Sequence, residues 1–585
     1  MDDTSGPLAV IVVPDEATEA TRHAAEEFQT VYARATNFEL PIRAATETES
    51  GRVFIGVEAT TLSAAPSLTT ADLDTEDLRF VVADGDIAIA GGSPRGTLYG
   101  VYEFLETRLG ARFLAPDQTH VPEDVVTDEL LAPTEYTYRP PLEFRYSYYG
   151  VVQNDPAYAA RVRNNTVTDE PELGGRTSMR LINHSVSRWV NTDEHGSTHP
   201  EYFALVDGER RTDVDSDAYG TQPCPTEPAV RELIIEGVVD ELAAEPERTN
   251  ISVGQNDNTY YCRCENCQAI IEREQSAMGP HLDLVNEVAD VVAEEHPGVY
   301  VGTLAYQYTR TPPATMTPRE NVQIQLCSIE ACILHPIDDP NCEQNADFCA
   351  DLAAWNELTD QIYIWNYNTN FRNYLQPCPN LRVIGPNVRY FVDNGAKGIF
   401  MQAAGRGARA TEFDTLRNYL MSTLLWDPTR DDEAIIEEFL RLHYQEAAEP
   451  IRQWLERLHD YVAGQDVHCN CFGQMADYGI TADLVDDGQD LFDEALELAA
   501  SDAVYERVER VSLCIHRAAM EPAILAMRDQ GPWNEELATA QLPVVDRFYE
   551  LADRYGVNIP VEWTDTEAEK ERMRELFELD ETAFA

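Results

Sequence analysis

Short apolar segments alternate with helix-length segments from residue 142 to residue 410, and this alternation restricts the fold more than any other feature. The intervening stretches have helical spacing, most clearly at 228–244 and 281–296. Strands that alternate with helices form parallel sheets or barrels. We therefore expect a (β/α)8-type barrel at 142–410, with one strand unrecognised or absent. Seven segments have the composition of buried strands: 144–152, 180–186, 250–255, 299–307, 322–329, 362–367 and 397–403.

The regions on either side have different patterns. Residues 1–131 predict an α/β sandwich domain, with a strand at 8–13 and a hairpin turn at 84–86. A helix is expected to begin with Ser93 as its N-cap and Pro94 in its first turn, and to stop at Gly110. From 411 to 585 apolar residues recur at helical spacing, so we expect an α-helical C-terminal domain without catalytic groups.

The charge balance restricts the partners. The chain has 104 Asp and Glu against 43 Lys and Arg, a net charge of −61, which argues against nucleic acid and anionic membranes. No apolar stretch has the length of a membrane span, so no membrane insertion is expected. The acidic residues are dispersed, which is typical of a halophilic protein whose self-repulsion is screened by molar salt. No signal peptide opens the chain, which favours the cytoplasm; export and the oligomeric state stay open.

Polar and aromatic residues follow the predicted strands, at the end where barrels carry their functional groups. Amides hydrogen-bond sugar hydroxyls, aromatic rings stack on sugar C–H faces, and paired acids cleave glycosidic bonds. The pattern therefore indicates a carbohydrate substrate and no cofactor. The residues are His184, Asn256, Asp257, Asn258, Tyr306, Glu330, His335, Trp365, Asn366, Tyr367 and Gln402.

Asp257 and Glu330 are the carboxylate pair that the sequence favours for catalysis. Glu330 follows an apolar strand and adjoins Ala331 and Cys332, a setting that could keep it protonated as the acid/base. Asp257 lies among amides and is expected to stay ionised. A chain with 104 acidic residues also places some after strands by chance, so a structural role is the alternative for each.

Three cysteines form a CxCxxC motif just after Asp257. Cys262, Cys264 and Cys267 could supply part of a zinc site, with a fourth ligand from Cys224 or a histidine. The usual zinc pattern has two CxxC pairs, which this motif lacks. We therefore expect no metal and interpret the cysteines as packed thiols that fix the loop carrying Asp257.

Several ordered motifs resemble known glycosidase families. The run GGSPRGTLYGVYEFLETRLGARFLAPD resembles the small α/β domain that precedes the barrel in β-hexosaminidases and α-glucuronidases. The segments HPEYFAL, SVGQNDNTYYCRCENC, CSIEACILHPIDDPNC, IYIWNYNTNF, GAKGIF and LLWDP resemble those of the DUF4838 group, which is classified as glycoside hydrolase family 163. The resemblance covers residues 7–450 and implies a (β/α)8 barrel and retaining endo-β-N-acetylglucosaminidase action on complex N-glycans.

That linkage class often uses the acetamide of the substrate as the nucleophile, so the enzyme supplies an acid/base and a group that polarises the acetamide. The resemblance supports Glu330 and Asp257 for these roles. Many relatives are expected to carry an acidic residue near the position of Gln402, which this chain lacks.

Two other functions stay open. An exo-acting or uronic-acid-specific glycosidase, of the α-glucuronidase kind, would place an arginine near the sugar carboxylate, for instance Arg188. A non-catalytic glycan-binding protein would hold Asp257 and Glu330 far apart or in salt bridges.

Overall fold

The computed structural model describes residues 8–44, 51–56, 68–123, 127–212, 221–562, 564–579 and 582–584. Within these ranges the chain forms an N-terminal mixed sheet, a central parallel sheet and a C-terminal set of helices, with two short two-stranded sheets. The two short sheets are Arg112–Ala115 with Gln118–His120, and Leu205–Val206 with Glu209–Arg210.

The N-terminal sheet has six strands. The first four are parallel and the last two pair antiparallel. Helices Glu19–Thr36 and Pro94–Arg108 pack on it through apolar side chains such as Phe28 and Leu105. In spatial order the strands are Ile42–Arg43, Val10–Val12, Arg52–Ile55, Asp86–Gly91, Leu78–Ala83 and Thr134–Tyr138.

Two local predictions in this region are confirmed. Asp84 and Gly85 both have positive φ, 53° and 82°, which is the backbone of a tight hairpin turn between the antiparallel strands. Ser93 caps helix Pro94–Arg108 by accepting a hydrogen bond from the Gly96 N–H. The chain leaves that helix at Gly110, whose φ of 75° favours glycine.

The central sheet has six strands, all parallel, so their carboxyl ends lie at one edge. Helices between the strands cover it. In spatial order the strands are Asn250–Ser252, Tyr300–Ala305, Val322–Cys327, Ile362–Tyr367, Gly398–Gly405 and Phe144–Tyr149. The helices are Gly150–Gln153, Pro156–Arg161, Thr192–His195, Pro228–Ala244, Glu265–Glu274, Met278–Glu295, Glu343–Asn356 and Leu381–Asp393.

The expected (β/α)8-type barrel, with one strand unrecognised or absent, is confirmed only in part. In the described part of the chain the parallel sheet forms a half-barrel, and segment 180–186 joins it only by a bridge between His184 and Gly254. Side chains replace the backbone ladder at this edge: Asn250 Oδ1 accepts from the Arg180 N–H at 2.7 Å, and Ser252 Oγ accepts from the Asn183 N–H at 2.8 Å. The segment is therefore held beside the sheet without being a regular strand.

The C-terminal region is helical, as its spacing predicts. It also contacts the carboxyl edge of the central sheet, because the Tyr374 N–H donates to the Pro560 carbonyl oxygen at 2.9 Å. No helix of the described residues is long and apolar enough to cross a membrane. The helices are Asp414–Trp426, Asp432–His443, Ala448–Ala463, Ala482–Leu498, Asp502–Val511, Leu513–Ala519, Glu521–Met527, Glu535–Tyr555 and Thr566–Leu576.

Candidate active site

Asp257 lies at the carboxyl edge of the central sheet, in the loop that follows strand Asn250–Ser252. The Tyr306 hydroxyl donates a hydrogen bond to Asp257 Oδ1 at 2.9 Å, and Gln307 Nε2 donates to the same hydroxyl at 3.0 Å. Burial, followed by the Asp257 charge, raises the pKa of Tyr306, so its hydroxyl stays protonated as a donor. The side chain of Asp257 is 40% exposed and can reach a ligand at this edge.

His184 lies beside the same carboxylate. Its Nε2 is 4.0 Å from Asp257 Oδ1, and its ring packs against Tyr306 with centroids 5.6 Å apart. Its Nδ1 is 2.6 Å from the carbonyl oxygen of Gln255. Because a carbonyl oxygen only accepts, Nδ1 carries a proton and Nε2 faces Asp257.

Asn256 holds the loop of Asp257 and does not face the open edge, since it is fully buried. Gln222 Nε2 donates to the carbonyl oxygens of Asn256 at 2.7 Å and Asn258 at 3.1 Å, and Gln222 Oε1 accepts from the Asn256 N–H. Asn256 Nδ2 donates to the Thr221 carbonyl oxygen at 2.8 Å. This buried network fixes the backbone on both sides of Asp257.

A second carboxyl group reaches the site from the C-terminal region. The backbone N–H of Glu562 donates to the carbonyl oxygen of Phe371 at 3.2 Å, in the loop after strand Ile362–Tyr367. Burial, followed by the charge of Asp257, raises the pKa of Glu562 to about 7. No hydrogen-bond donor or cation among the described residues counteracts this rise in pKa. Such a group can release and take up a proton near neutral pH.

The sequence reasoning missed Glu562. It lies in the segment VEWTD, between two helices of a region in which the apolar spacing indicated no chemistry. The rule that places functional groups after strands does not reach it, because Glu562 follows a helix and is brought to the sheet only by tertiary packing.

Glu330 does not lie in the apolar setting expected of it. Arg310 Nη1 donates to Glu330 Oε2 at 3.0 Å, and the Glu330 side chain is 44% exposed. Arg310 also pairs with Asp351 at 2.7 Å. Glu330 is nevertheless near the site, since its charge contributes to raising the pKa of Tyr306. Its surroundings are therefore an ion pair at a partly exposed position, and not the apolar pocket that the sequence predicted.

Trp365 and Gln402 lie on neighbouring strands, and both are partly exposed. Trp365 Nε1 donates to Gln402 Oε1 at 2.5 Å, which fixes the indole ring. The ring packs edge-on against Phe400 with centroids 4.7 Å apart, and Tyr146 and Tyr148 flank Phe400 from the next strand. This arrangement offers an aromatic surface on which a sugar ring could stack.

The neighbouring Asn366 and Tyr367 are buried and hold the strand end. Asn366 Nδ2 donates to Asn368 Oδ1 at 2.9 Å, and Asn366 Oδ1 accepts from Ser328 Oγ at 2.9 Å. Burial raises the pKa of Tyr367, whose ring packs against Phe371. These contacts support a structural role for both residues.

Asn258 and His335 occupy different surroundings. Asn258 is partly exposed beside Asp257, and its Oδ1 accepts from the Tyr260 N–H at 3.1 Å. His335 stacks on His468 with ring centroids 4.4 Å apart, and its Nδ1 is 3.4 Å from Cys332 Sγ. His335 therefore belongs to a cysteine–histidine cluster and not to the group around Asp257.

The cysteines of the CxCxxC motif converge on one point with a fourth. The four Sγ atoms of Cys224, Cys262, Cys264 and Cys267 lie within 4.8 Å of one another, and all are free thiols. A second group, Cys332, His335, Cys342 and His468, meets the same distance limit. Both sets have the donor types that bind zinc.

The fold is similar to that of a family GH115 4-O-methyl-α-glucuronidase with specificity for decorated arabinogalactans, with a TM-score of 0.59 and 11% identity over 99% of this chain and 80% of that chain. A GH138 enzyme that targets pectin rhamnogalacturonan II superposes less well, with a TM-score of 0.42 and 10% identity over 98% and 99% of the two chains. The GH20 β-N-acetylhexosaminidase from Streptomyces coelicolor A3(2) has a TM-score of 0.40 and 12% identity over 75% of this chain and 92% of that chain.

The first of these comparisons shows a fold shared with a glycoside hydrolase. No curated protein matches the sequence. The family described as "Domain of unknown function (DUF4838)" matches residues 113–456, which is more than half of the chain. The chain therefore belongs to the DUF4838 family.

Proposed function

We propose that this protein is a glycoside hydrolase in which Glu562 is the acid/base and Asp257 is the second functional carboxylate. The observation that carries the proposal is the place of Glu562, whose backbone N–H bonds to the Phe371 carbonyl oxygen at the carboxyl edge of the sheet and whose pKa is raised to about 7 by burial and the Asp257 charge. Cleavage of a glycosidic bond needs one protonated acid and one group that stabilises the positive charge at the anomeric carbon. The fold similarity to a glycoside hydrolase supports the same reaction class.

The proposed mechanism begins with proton transfer from Glu562 to the leaving-group oxygen. Tyr306 engages Oδ1 of Asp257, and we assign Oδ2 to the N–H of a substrate acetamide, whose oxygen then attacks the anomeric carbon with inversion. Glu562, now ionised, takes a proton from water, which attacks the same carbon with a second inversion, so the configuration is retained. Trp365 and Gln402 would hold the sugar ring. We propose that the protein performs this reaction as an endo-β-N-acetylglucosaminidase.

The uronic-acid alternative has less support in the site residues expected for it. Arg188 pairs with Glu241 on helix Pro228–Ala244, at 3.2 Å, and its side chain is 42% exposed. It is therefore engaged with a helix outside the group around Asp257. The binding-only alternative is favoured by the salt bridge of Glu330 with Arg310, but it does not account for the raised pKa of Glu562.

The test is hydrolysis of three substrates, a complex N-glycopeptide, chitooligosaccharides and glucuronic-acid-bearing oligosaccharides, in high and low KCl with mass spectrometry of the products. We expect wild type to release a glycan and leave one N-acetylglucosamine on the peptide. Glu562→Gln and Asp257→Asn should lose this product, whereas Glu330→Gln, matched in chemistry, should keep it. Release of glucuronic acid instead would support the exo-acting alternative. Unchanged turnover in Glu562→Gln would exclude it as the acid, and no product at any salt concentration would contradict the hydrolase.

A further inference from the structure

We propose that Cys224, Cys262, Cys264 and Cys267 bind a structural zinc ion. The Sγ of Cys224 lies 3.4 Å from that of Cys262, 3.7 Å from that of Cys264 and 3.9 Å from that of Cys267. Four thiolates at about 2.3 Å from zinc form a tetrahedron with edges of about 3.8 Å. A disulfide would bring two of the sulfurs to about 2.05 Å instead. The four atoms thus have the separation of a metal site.

The surroundings suit thiolates. The Leu205 N–H donates to Cys262 Sγ at 3.4 Å, and Arg210 Nη1 donates to the same sulfur at 3.8 Å. The Thr226 hydroxyl is 3.2 Å from Cys267 Sγ and can donate to it. Four thiolates around Zn²⁺ leave a net charge of −2, which a guanidinium and N–H donors offset. A cluster of neutral thiols would gain little from a cation at this position.

This zinc would hold the loop that carries Asp257. Cys264 and Cys267 lie at the start of helix Glu265–Glu274, while Cys224 follows Gln222 by two residues. Gln222 binds the backbone on both sides of Asp257. With four protein ligands the ion has no open position, so its role is structural and not catalytic.

A second zinc site is carried by different residues, Cys332, His335, Cys342 and His468. Nδ1 of His335 is 3.4 Å from Cys332 Sγ, and Nδ1 of His468 is 3.2 Å from Cys342 Sγ. Sulfur and nitrogen ligands of one tetrahedral zinc are about 3.6 Å apart. Asp466 Oδ1 lies 3.6 Å from Nε2 of His468, the usual place for a carboxylate that orients a metal-bound imidazole.

The second ion would join the loop after strand Val322–Cys327 to segment 465–473. The Ile333 N–H donates to the Cys469 carbonyl oxygen at 3.0 Å, and the Phe371 N–H donates to the Cys471 carbonyl oxygen at 2.9 Å. Phe371 in turn accepts from the Glu562 N–H. Each ion therefore supports one side of the group formed by Asp257 and Glu562. Zinc binding itself does not depend on the proposed hydrolase activity.

The first test is the zinc content of the purified full-length protein by inductively coupled plasma mass spectrometry. We expect two zinc ions per chain in wild type and one in each double variant, Cys224→Ser with Cys264→Ser, and Cys332→Ser with His468→Ala. The control Cys514→Ala, a buried free thiol outside both clusters, should keep two. Zinc content unchanged by a double variant would overturn that site, and zinc-free wild type would overturn both.

A second test uses only the wild-type protein, so its outcome does not depend on whether a variant folds. Crystals of the wild-type protein are measured at wavelengths above and below the zinc absorption edge. We expect two anomalous peaks that appear only above the edge, one among the four cysteines and one among the two cysteines and two histidines. A peak missing from either cluster, or a peak with the edge of iron, overturns the zinc assignment there.

Discussion

Glu562 and Asp257 lie at the same edge of the central sheet, where burial, followed by the negative charge of Asp257, raises the pKa of Glu562 to about 7. The two residues come from distant parts of the chain, one from the loop after strand Asn250–Ser252 and the other from the segment before helix Thr566–Leu576. The C-terminal region therefore brings a buried carboxyl group to the edge of the central sheet. The catalytic pair that we propose exists only when both regions are folded against each other.

Replacing Glu562 by glutamine should lower the rate about 100- to 10,000-fold, because the leaving group loses its proton donor. The wild-type rate should fall as pH rises above about 7, where Glu562 ionises, and this basic limb should disappear in the variant. An aryl glycoside with an acidic phenol leaving group needs less protonation and should lose less rate. The measurement is the pH profile of kcat/KM for both substrates. An equal loss on both would show that Glu562 positions the substrate instead of protonating it.

The same substitution should change the pH dependence of stability. Folding raises the pKa of Glu562 from its ordinary value of 4.5 to about 7. The folded state therefore holds more protons than the unfolded state between about pH 4.5 and 7. Its contribution to stability is complete below about pH 4.5 and is lost as pH rises through about 7.

Glu562→Gln removes this loss, so the variant should be more stable than wild type at pH 8 by about 1–2 kcal/mol, after allowance for partial exposure. At pH 4.5 the two proteins should have similar stability. Chemical denaturation at both pH values measures the free energy of unfolding of each protein. Glu330→Gln, at a half-exposed carboxylate, is the control. A pH-independent difference between Glu562→Gln and wild type would contradict the raised pKa.

The local structure of this chain was largely predictable because it depends on interactions between residues that are close in the sequence. Asp84 and Gly85 specify a hairpin turn, and Ser93 with Pro94 specify the start of a helix, by interactions within a few residues. Segment 180–186 has the composition of a strand, yet two of its N–H groups, those of Arg180 and Asn183, bond to the side chains of Asn250 and Ser252. The acceptor of each backbone N–H depends on the neighbouring strand, so the composition of the segment alone does not predict the pairing.

The candidate site was predictable only where it follows strands. Asp257, Tyr306 and Trp365 were found because parallel strands bring their carboxyl ends together. The surroundings of Glu330 were not predictable, because Arg310 reaches Glu330 from another loop. Glu562 required knowledge of how the C-terminal helices pack on the sheet, which is tertiary information.

Tyr306→Phe should weaken the Asp257 carboxylate as a functional group. The hydroxyl donates a 2.9 Å hydrogen bond to Asp257 Oδ1, and a hydrogen bond to a charged group stabilises it by about 1.5–3 kcal/mol. Without this donor the carboxylate is held less firmly, so kcat/KM on the substrate that wild type cleaves should fall by about 10- to 100-fold. Tyr308→Phe, two residues along and stacked on Tyr261, is the matched control and should keep the wild-type kcat/KM. An equal fall in both variants would assign it to general loosening of the loop.

The net charge of −61 predicts that stability rises with salt concentration. Salt screens attraction as well as repulsion, and at about 1 M the screening length is about 3 Å, so surface ion pairs such as Arg382–Asp460 should weaken. With 104 acidic residues against 43 basic ones, most acids cannot be paired, and the relief of repulsion should exceed that loss. The midpoint of thermal unfolding should therefore rise steadily between about 0.1 M and about 3 M KCl. Sucrose at equal osmolality separates charge screening from general exclusion of solute from the surface, and a rise of equal size in sucrose would contradict the electrostatic explanation.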